Sequence, residues 1–150
     1  MLDMDFGFFP NVTRSNTTSK NAWELSRDPD EEEVFYVTRS YLTRHGNGYL
    51  PGEKGLNLRN AENETNKSHP FQGECRTAPL NLDLMRYAIG LELNLGPKSE
   101  NVKRNLVITC CDQYDINVDK LLNDLQFDFN KVFVSNGPSL ENITEHNAKW

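Results

Sequence analysis

Three short apolar runs, each closed by a polar loop and separated by segments of helical periodicity, constrain what this chain can fold into. Residues 34–42 (VFYVTRSYL) are β-branched and aromatic and read as a strand. The run enters a turn-forming stretch, 44–53, with Gly46, Gly48 and Pro51-Gly52. Residues 54–70 are polar and read as a mobile loop. Thr77 then reads as a helix N-cap with Pro79 just inside the start. Leu80, Leu84, Tyr87, Ala88 and Leu91 recur at helical spacing, and Gly96-Pro97 ends the helix. Residues 105–111 (NLVITCC) are the second strand, buried by composition, and stop at Asp112-Gln113-Tyr114-Asp115. A short helix over 118–125 carries Leu121, Leu122 and Leu125 on one side, and 131–134 (KVFV) is the third strand, followed by a turn at Ser135-Asn136-Gly137-Pro138. The alternation predicts an α/β fold with a mostly parallel sheet. Three polar loops, 44–53, 112–115 and 135–139, each follow a strand, and open α/β sheets bind ligands beyond the carboxyl ends of their strands.

A length of 150 residues accommodates one domain. A net charge of -6 with no Lys/Arg block argues against nucleic-acid binding, which needs basic clusters, but not against a small nucleotide. The cysteines, Cys75, Cys110 and Cys111, are odd in number and lack Cys-x-x-Cys spacing, and His45, His69 and His146 are scattered. Reduced thiols in a cytoplasmic protein, and no zinc site, are expected. Asn-x-Ser/Thr triplets begin at Asn11, Asn16, Asn63, Asn66 and Asn142. With no charged-then-apolar leading segment and no membrane-length apolar run, they read as Asn/Thr-rich sequence rather than as glycosylation sites.

Particular residue types point to ligand chemistry. Thr13, Ser15, Asn16, Thr17 and Thr18 supply hydroxyls, an amide and loop N–H groups that can hold a phosphate, or alternatively cap a polar turn. Gly46 and Gly48 permit close backbone approach, to a ligand or simply within a turn. Asp112, at a strand end, can accept paired hydrogen bonds from a ligand that brings two N–H donors. Arg76 suits a carboxylate, whether of a ligand or of a surface ion pair.

Three separated segments, in order, resemble the adenylosuccinate synthetase family. Residues 3–18 (DMDFGFFPNVTRSNTT) are similar to its Asp-x-Asp-x-Gly-x-Tyr-Pro-x-Val-Thr-Ser-Ser-Asn-Thr-Thr stretch. Residues 43–53, Thr43-Arg44-His45-Gly46-Asn47-Gly48 with Pro51 and Glu53, are similar to its Thr-Arg-x-Gly-x-Gly-x-x-Pro-x-Glu loop. Thr109-Cys110-Cys111-Asp112 with Asp115 resembles its Thr-Lys-x-Asp-x-x-Asp base motif, and Ser135-Asn136-Gly137-Pro138 is a weaker fourth match. The resemblance implies that residues 1–150 form the C-terminal portion of a P-loop-NTPase-like fold, and a ligase that joins aspartate to C6 of IMP with GTP hydrolysis in AMP biosynthesis. It places Thr13, Asn16, Thr17, His45 and Gly46 at IMP, Arg76 and Thr77 at L-aspartate, and Asp112, Ser135 and Gly137 at GTP. It further implies a homodimer and Mg²⁺, held mainly by an N-terminal half.

Two departures stand out. The motif lysine, whose stem packs on the base, is replaced by Cys110, and the arginine-rich loop before the helix carries one arginine, Arg76. Together with the short 115–133 segment, these point to a compact, viral-type branch, some of whose members take a guanine nucleotide such as (d)GMP in place of IMP. The chain has no Gly-x-x-x-x-Gly-Lys phosphate loop, and Met1 runs straight into an aromatic stretch. The expectation is therefore a fragment with no catalytic residue of its own, inactive alone; a non-catalytic nucleotide-binding module is the alternative.

Overall fold

A computed structural model describes residues 16–26, 32–64, 67–98 and 101–147. Helix α1 spans Lys20–Ser26. Strand β1 (Glu32–Arg39) is followed by β2 (Tyr41–His45), a 3-10 turn at Ala61–Asn63, β3 (Cys75–Pro79) and α2 (Leu82–Leu95). Then come β4 (Val102–Thr109), α3 (Val118–Leu125), β5 (Lys131–Ser135), a second 3-10 turn at Leu140–Asn142 and β6 (Ile143–Glu145). The main sheet has the order β1-β4-β5-β6, and β2 and β3 form a separate two-stranded sheet. β1 with β4 and β4 with β5 are parallel, and β5 with β6 is antiparallel, so the expected mixed α/β, mostly parallel sheet is present.

One face of that sheet is covered by the helices. Leu106 and Ile108 of β4 and Val132 of β5 bury against Leu121, Leu122 and Leu125 of α3, with Tyr36, Met85 and Ile89 packed around them. The short α3 forms where the leucine spacing predicts it. Asn117 caps it by accepting the Lys120 N–H at 2.9 Å, which satisfies one of the orphan donors of its first turn.

The structure corrects four readings. The strand expected over 34–42 is two strands in two sheets, because Ser40 breaks it. Its N–H donates to the Thr109 carbonyl (2.8 Å) and its hydroxyl to the Cys110 carbonyl (2.9 Å), ending the pairing with β4 and turning Tyr41 toward β3. Thr77 and Pro79 do not start a helix but lie in β3, where Pro79 pairs with Tyr41 at the strand's last position and the Thr77 hydroxyl accepts the Leu56 N–H. Asn81 is the true cap of α2, its side chain accepting the Leu84 N–H at 2.8 Å. Tyr87, placed on the apolar stripe by spacing, is 45% exposed, and Met85 and Ile89 pack on the core. Finally, β4 begins three residues before the apolar run, at Val102, and stops two residues before its end, because Cys110 takes a left-handed φ of 60°.

Among the described residues no helix is long and apolar enough to cross a membrane. Ile108 is fully buried at the centre of the main sheet. Replacing it with alanine should lower unfolding stability by about 2 to 5 kcal/mol, whereas Tyr87→Ala should change it by about 0.5 kcal/mol or less. Urea unfolding followed by circular dichroism measures both, and comparable losses would remove Tyr87 from the exposed face.

Candidate functional site

The loop after β4 is assembled around one carbonyl. With Cys110 at positive φ, its oxygen accepts the Gln113 N–H (3.0 Å), the Tyr114 N–H (3.3 Å) and the Ser40 hydroxyl. The loop is joined to the one after β5 by the Cys111 N–H, which donates to the Ser135 carbonyl at 3.0 Å. In that second loop the Ser135 hydroxyl donates to the Gly137 carbonyl at 2.9 Å, and a Cβ at Gly137 would lie 2.5 Å from Asn142 Oδ1. Asp112, Ser135 and Gly137 therefore stand on adjacent loops at the carboxyl ends of adjacent parallel strands. The Asp112 carboxylate is half-buried and makes no hydrogen bond or ion pair to another described residue. Its acceptor capacity is open to a ligand that brings paired N–H donors.

A buried network braces this loop from behind. The Tyr41 side chain is 1% exposed, and its hydroxyl bonds to Glu64 Oε2 at 2.8 Å and to the Gln113 side-chain amide. Arg39 Nη1 donates to the same Glu64 oxygen at 2.6 Å and to the Tyr41 oxygen at 2.9 Å. Burial, together with the neighbouring Glu64 carboxylate, holds the Tyr41 phenol well above its ordinary range, so it stays a neutral donor. On the open side Arg59 donates its backbone N–H to the Gln113 carbonyl (2.9 Å) and pairs with Asp115 at 2.7 Å. Segment 54–64, read from sequence as mobile, is thus tied to the Asp112 loop at two points. No local pattern marks this network, since Glu64 lies 23 and 25 residues from Tyr41 and Arg39, and Arg59 lies 56 residues from Asp115.

The second group of predicted residues lies on the β2–β3 pair. Thr43 pairs with Thr77, Arg44 with Arg76 and His45 with Cys75, so His45, Gly46, Arg76 and Thr77 share one hairpin-like unit. Loop 44–53 therefore leaves this small antiparallel sheet and does not extend a strand of the main one, as the strand pattern had implied. Gly46 (φ 62°) and Gly48 (φ 108°) are needed there, since a Cβ would meet the Gln72 carbonyl at 2.7 Å and the Arg44 guanidinium at 2.3 Å. Arg76 is bound to Glu53 at 2.6 Å and donates to the Gly48 carbonyl at 2.7 Å, so the carboxylate in its grip here is the chain's own. Burial lowers the pKa of Arg44 first and the Arg76 charge lowers it further, which marks two guanidiniums crowded at one strand pair.

Asn16 and Thr17 belong to a third region, whereas Thr13 lies outside the described residues. The Asn16 side-chain oxygen accepts the Thr18 N–H at 2.9 Å and the Thr18 hydroxyl, closing a local turn, so that oxygen is already used. The turn is fastened to α2 by the buried Glu92, whose carboxylate accepts the Ser19 N–H at 2.9 Å and the Ser19 hydroxyl. Thr17 lies at the rim of a cavity of about 370 Å³ between β1 and α2, lined by Tyr36, Leu80, Met85 and Phe129 among others. Burial and then the Glu92 charge push the Tyr36 phenol up to about 12. Among the described residues no group of three His, Cys, Asp or Glu side chains could hold a metal ion.

These are the features of a mixed α/β protein whose polar loops converge at the ends of parallel strands. Comparison with known proteins supplies the family: the family model described as adenylosuccinate synthetase matches residues 1–96. An adenylosuccinate synthetase of Azobacteroides pseudotrichonymphae genomovar. CFP2 is 32% identical over 130 residues, covering 81% of this chain and 30% of that protein. The Thermotoga maritima protein of the same name is 33% identical over 135 residues, covering 84% and 34% respectively. That of Picrophilus torridus is 40% identical over 93 residues, covering 59% and 21%. The chain belongs to the adenylosuccinate synthetase family and spans about a third of the length of the first two relatives.

The site region also predicts a pH dependence. Burial first, then the neighbouring Cys110 and Asp112, push the Cys111 thiol from 9.0 up to about 11. The folded chain therefore keeps a proton that the unfolded chain releases, and stability falls as pH rises between about 9 and 11. Cys111→Ala should lessen this slope without abolishing it, because burial also raises the Cys75 thiol and the Tyr36 and Tyr41 phenols. Urea midpoints at about pH 8.5 and 10.5 for both proteins measure the difference.

Proposed function

We propose that this chain carries nucleotide and aspartate recognition for a ligase that joins L-aspartate to C6 of IMP with GTP hydrolysis, on the route to AMP. Family membership supports the reaction class, and the observation that carries the base assignment is the open Asp112 carboxylate beside the Ser135–Gly137 loop. In this reading Asp112 accepts from the N1–H and amino group of guanine. Adenine offers no N1–H, so the same carboxylate selects GTP over ATP. Ser135 and Gly137 complete the edge of the pocket.

Thr13, Asn16 and Thr17 hold the IMP phosphate, with Asn16 contributing its N–H groups because its side-chain oxygen is engaged with Thr18. His45 and Gly46 lie against the IMP sugar, where only glycine allows the close approach. Arg76 and Thr77 take the aspartate carboxylates, and Glu53 must release Arg76 for this to happen. In the reaction the GTP γ-phosphate is transferred to O6 of IMP, and the aspartate amine then displaces phosphate at C6. The chain supplies recognition to these steps. The phosphate loop, the proton-moving groups and the ligands for Mg²⁺, which would supply charge neutralisation, are assigned to the part of the family's length that this chain does not span. The protein is assigned to the cytoplasm and to a homodimer.

Guanine nucleotide binding to the chain by titration calorimetry tests the reading. GDP should bind more tightly than ADP, and Asp112→Asn should weaken GDP about tenfold or more while leaving ADP unchanged. Equal affinity of the wild-type chain for GDP and ADP would remove the base assignment.

A further inference from the structure

The segment between the two candidate sites grips the Asp112 loop in a way that the family motif does not include. Arg59 donates its backbone N–H to the Gln113 carbonyl at 2.9 Å. Its guanidinium donates to the Cys111 carbonyl at 3.3 Å and pairs with Asp115 Oδ1 at 2.7 Å. These contacts fall on residues 111, 113 and 115, so they bracket Asp112 on both sides. Asn60 follows in the left-handed region, φ 50°, a conformation that asparagine tolerates better than most residues. It turns the chain into the 3-10 turn at Ala61–Asn63, which brings Glu64 back onto Tyr41 and Arg39. One short segment thus fixes the loop at its outer edge through Arg59 and from beneath through Glu64, Tyr41 and Gln113.

The two positions just before Asp112 carry no side chain that could lie along a bound base. The position two before Asp112 is Cys110, whose side chain is too short, and Cys111 is directed back to the Ile108 and Thr109 carbonyls. Arg59 is a cation held against the outer side of this loop, with its side chain about half exposed. A guanidinium is planar and weakly hydrated and stacks on aromatic faces, so it can cover a purine while its edge stays bonded to the loop. The ion pair with Asp115 joins two exposed groups and is worth little by itself, so a ligand can draw Arg59 from it at small cost.

Building on the guanine reading of Asp112, we propose that Arg59 is a further base-binding residue of that site. It lies on the face of the purine whose edge Asp112 reads, in place of the side chain that Cys110 cannot supply. Phosphate groups are not its target: its anchor points are all on the base loop.

Titration calorimetry of GDP and guanosine with the 150-residue chain tests this. Arg59→Ala should weaken both ligands by about tenfold. Arg59→Lys, which keeps the charge without the plane, should recover only part of that loss. Asp115→Asn removes the ion pair but keeps the guanidinium, and should bind both ligands at least as well as the wild type. Several results would overturn the proposal. Equal losses in Arg59→Ala and Asp115→Asn would make Arg59 a brace of the loop and nothing more. A loss for GDP without one for guanosine would place Arg59 at the phosphates. Unchanged binding in Arg59→Ala, with binding lost in Asp112→Asn, removes Arg59 alone and leaves the guanine reading standing. No binding of either ligand to the wild-type chain removes both. Thermal melts of each variant, within about 2 °C of the wild type, exclude misfolding, and a variant that melts lower is replaced by Arg59→Gln.

Discussion

Ser40 is the point on which the arrangement turns. Its backbone N–H caps the parallel ladder at Thr109, and its hydroxyl takes the carbonyl of Cys110, the residue whose positive φ starts the Asp112 loop. A side chain without a hydroxyl would lose this tie to the Cys110 carbonyl, which would keep only the Gln113 and Tyr114 N–H groups, and a larger one would not fit a site that is 1% exposed. The same residue redirects the chain, so that Tyr41 leaves the main sheet and β2 pairs with β3. One buried hydroxyl therefore links strand termination, loop conformation and the separation of the two candidate ligand regions.

From that corner the polar interior spreads in a consistent pattern. Tyr41 turns inward to meet Glu64, Arg39 and Gln113, a set in which the charge of the glutamate is matched by the guanidinium and by a neutral phenol donor. Such a network is stabilising only when each member is satisfied, which binds together three segments distant in sequence. Glu92 plays the corresponding part on the other side, holding the Asn16–Ser19 turn to α2. The open face of the main sheet is different in character. Phe35 and Val37 are 48% and 68% exposed, Phe35 lies 6.2 Å from Phe133, and β1 pairs on one edge only among the described residues. Uncovered apolar area beside an unpaired strand edge is a liability in isolation.

The elements legible from sequence are those whose signal is local. The leucines of α3 and the β-branched run of β4 were enough to place both, because a helix of that spacing and a strand of that composition bury the same side chains in most surroundings. The turn chemistry at Gly46 and Gly48 was also visible, since glycine is required where φ is positive and backbone approach is close. Local rules failed where a distant partner outweighed them. Thr77 and Pro79 form a respectable helix start, but pairing of β3 with β2 takes them, and Asn81 caps the helix instead. Tyr87 keeps helical register with the apolar residues yet is 45% exposed, while Met85 and Ile89 pack on the core.

Residue pattern alone was enough for the body of α2, for β4, α3 and β5, for the parallel bias of the sheet and for the family resemblance. Each of these is carried by residues near one another in the chain: apolar spacing, strand-end polar loops, and short motifs such as Thr109–Asp112. Only the tertiary structure decided that Arg76 closes on Glu53, that Arg59 and Glu64 hold the Asp112 loop, and that Asp112 itself is left open. Those outcomes depend on which charged groups the fold brings within 3 Å of each other. A charged side chain has no periodicity that announces its partner, so that choice is made only when the strands and loops are in place.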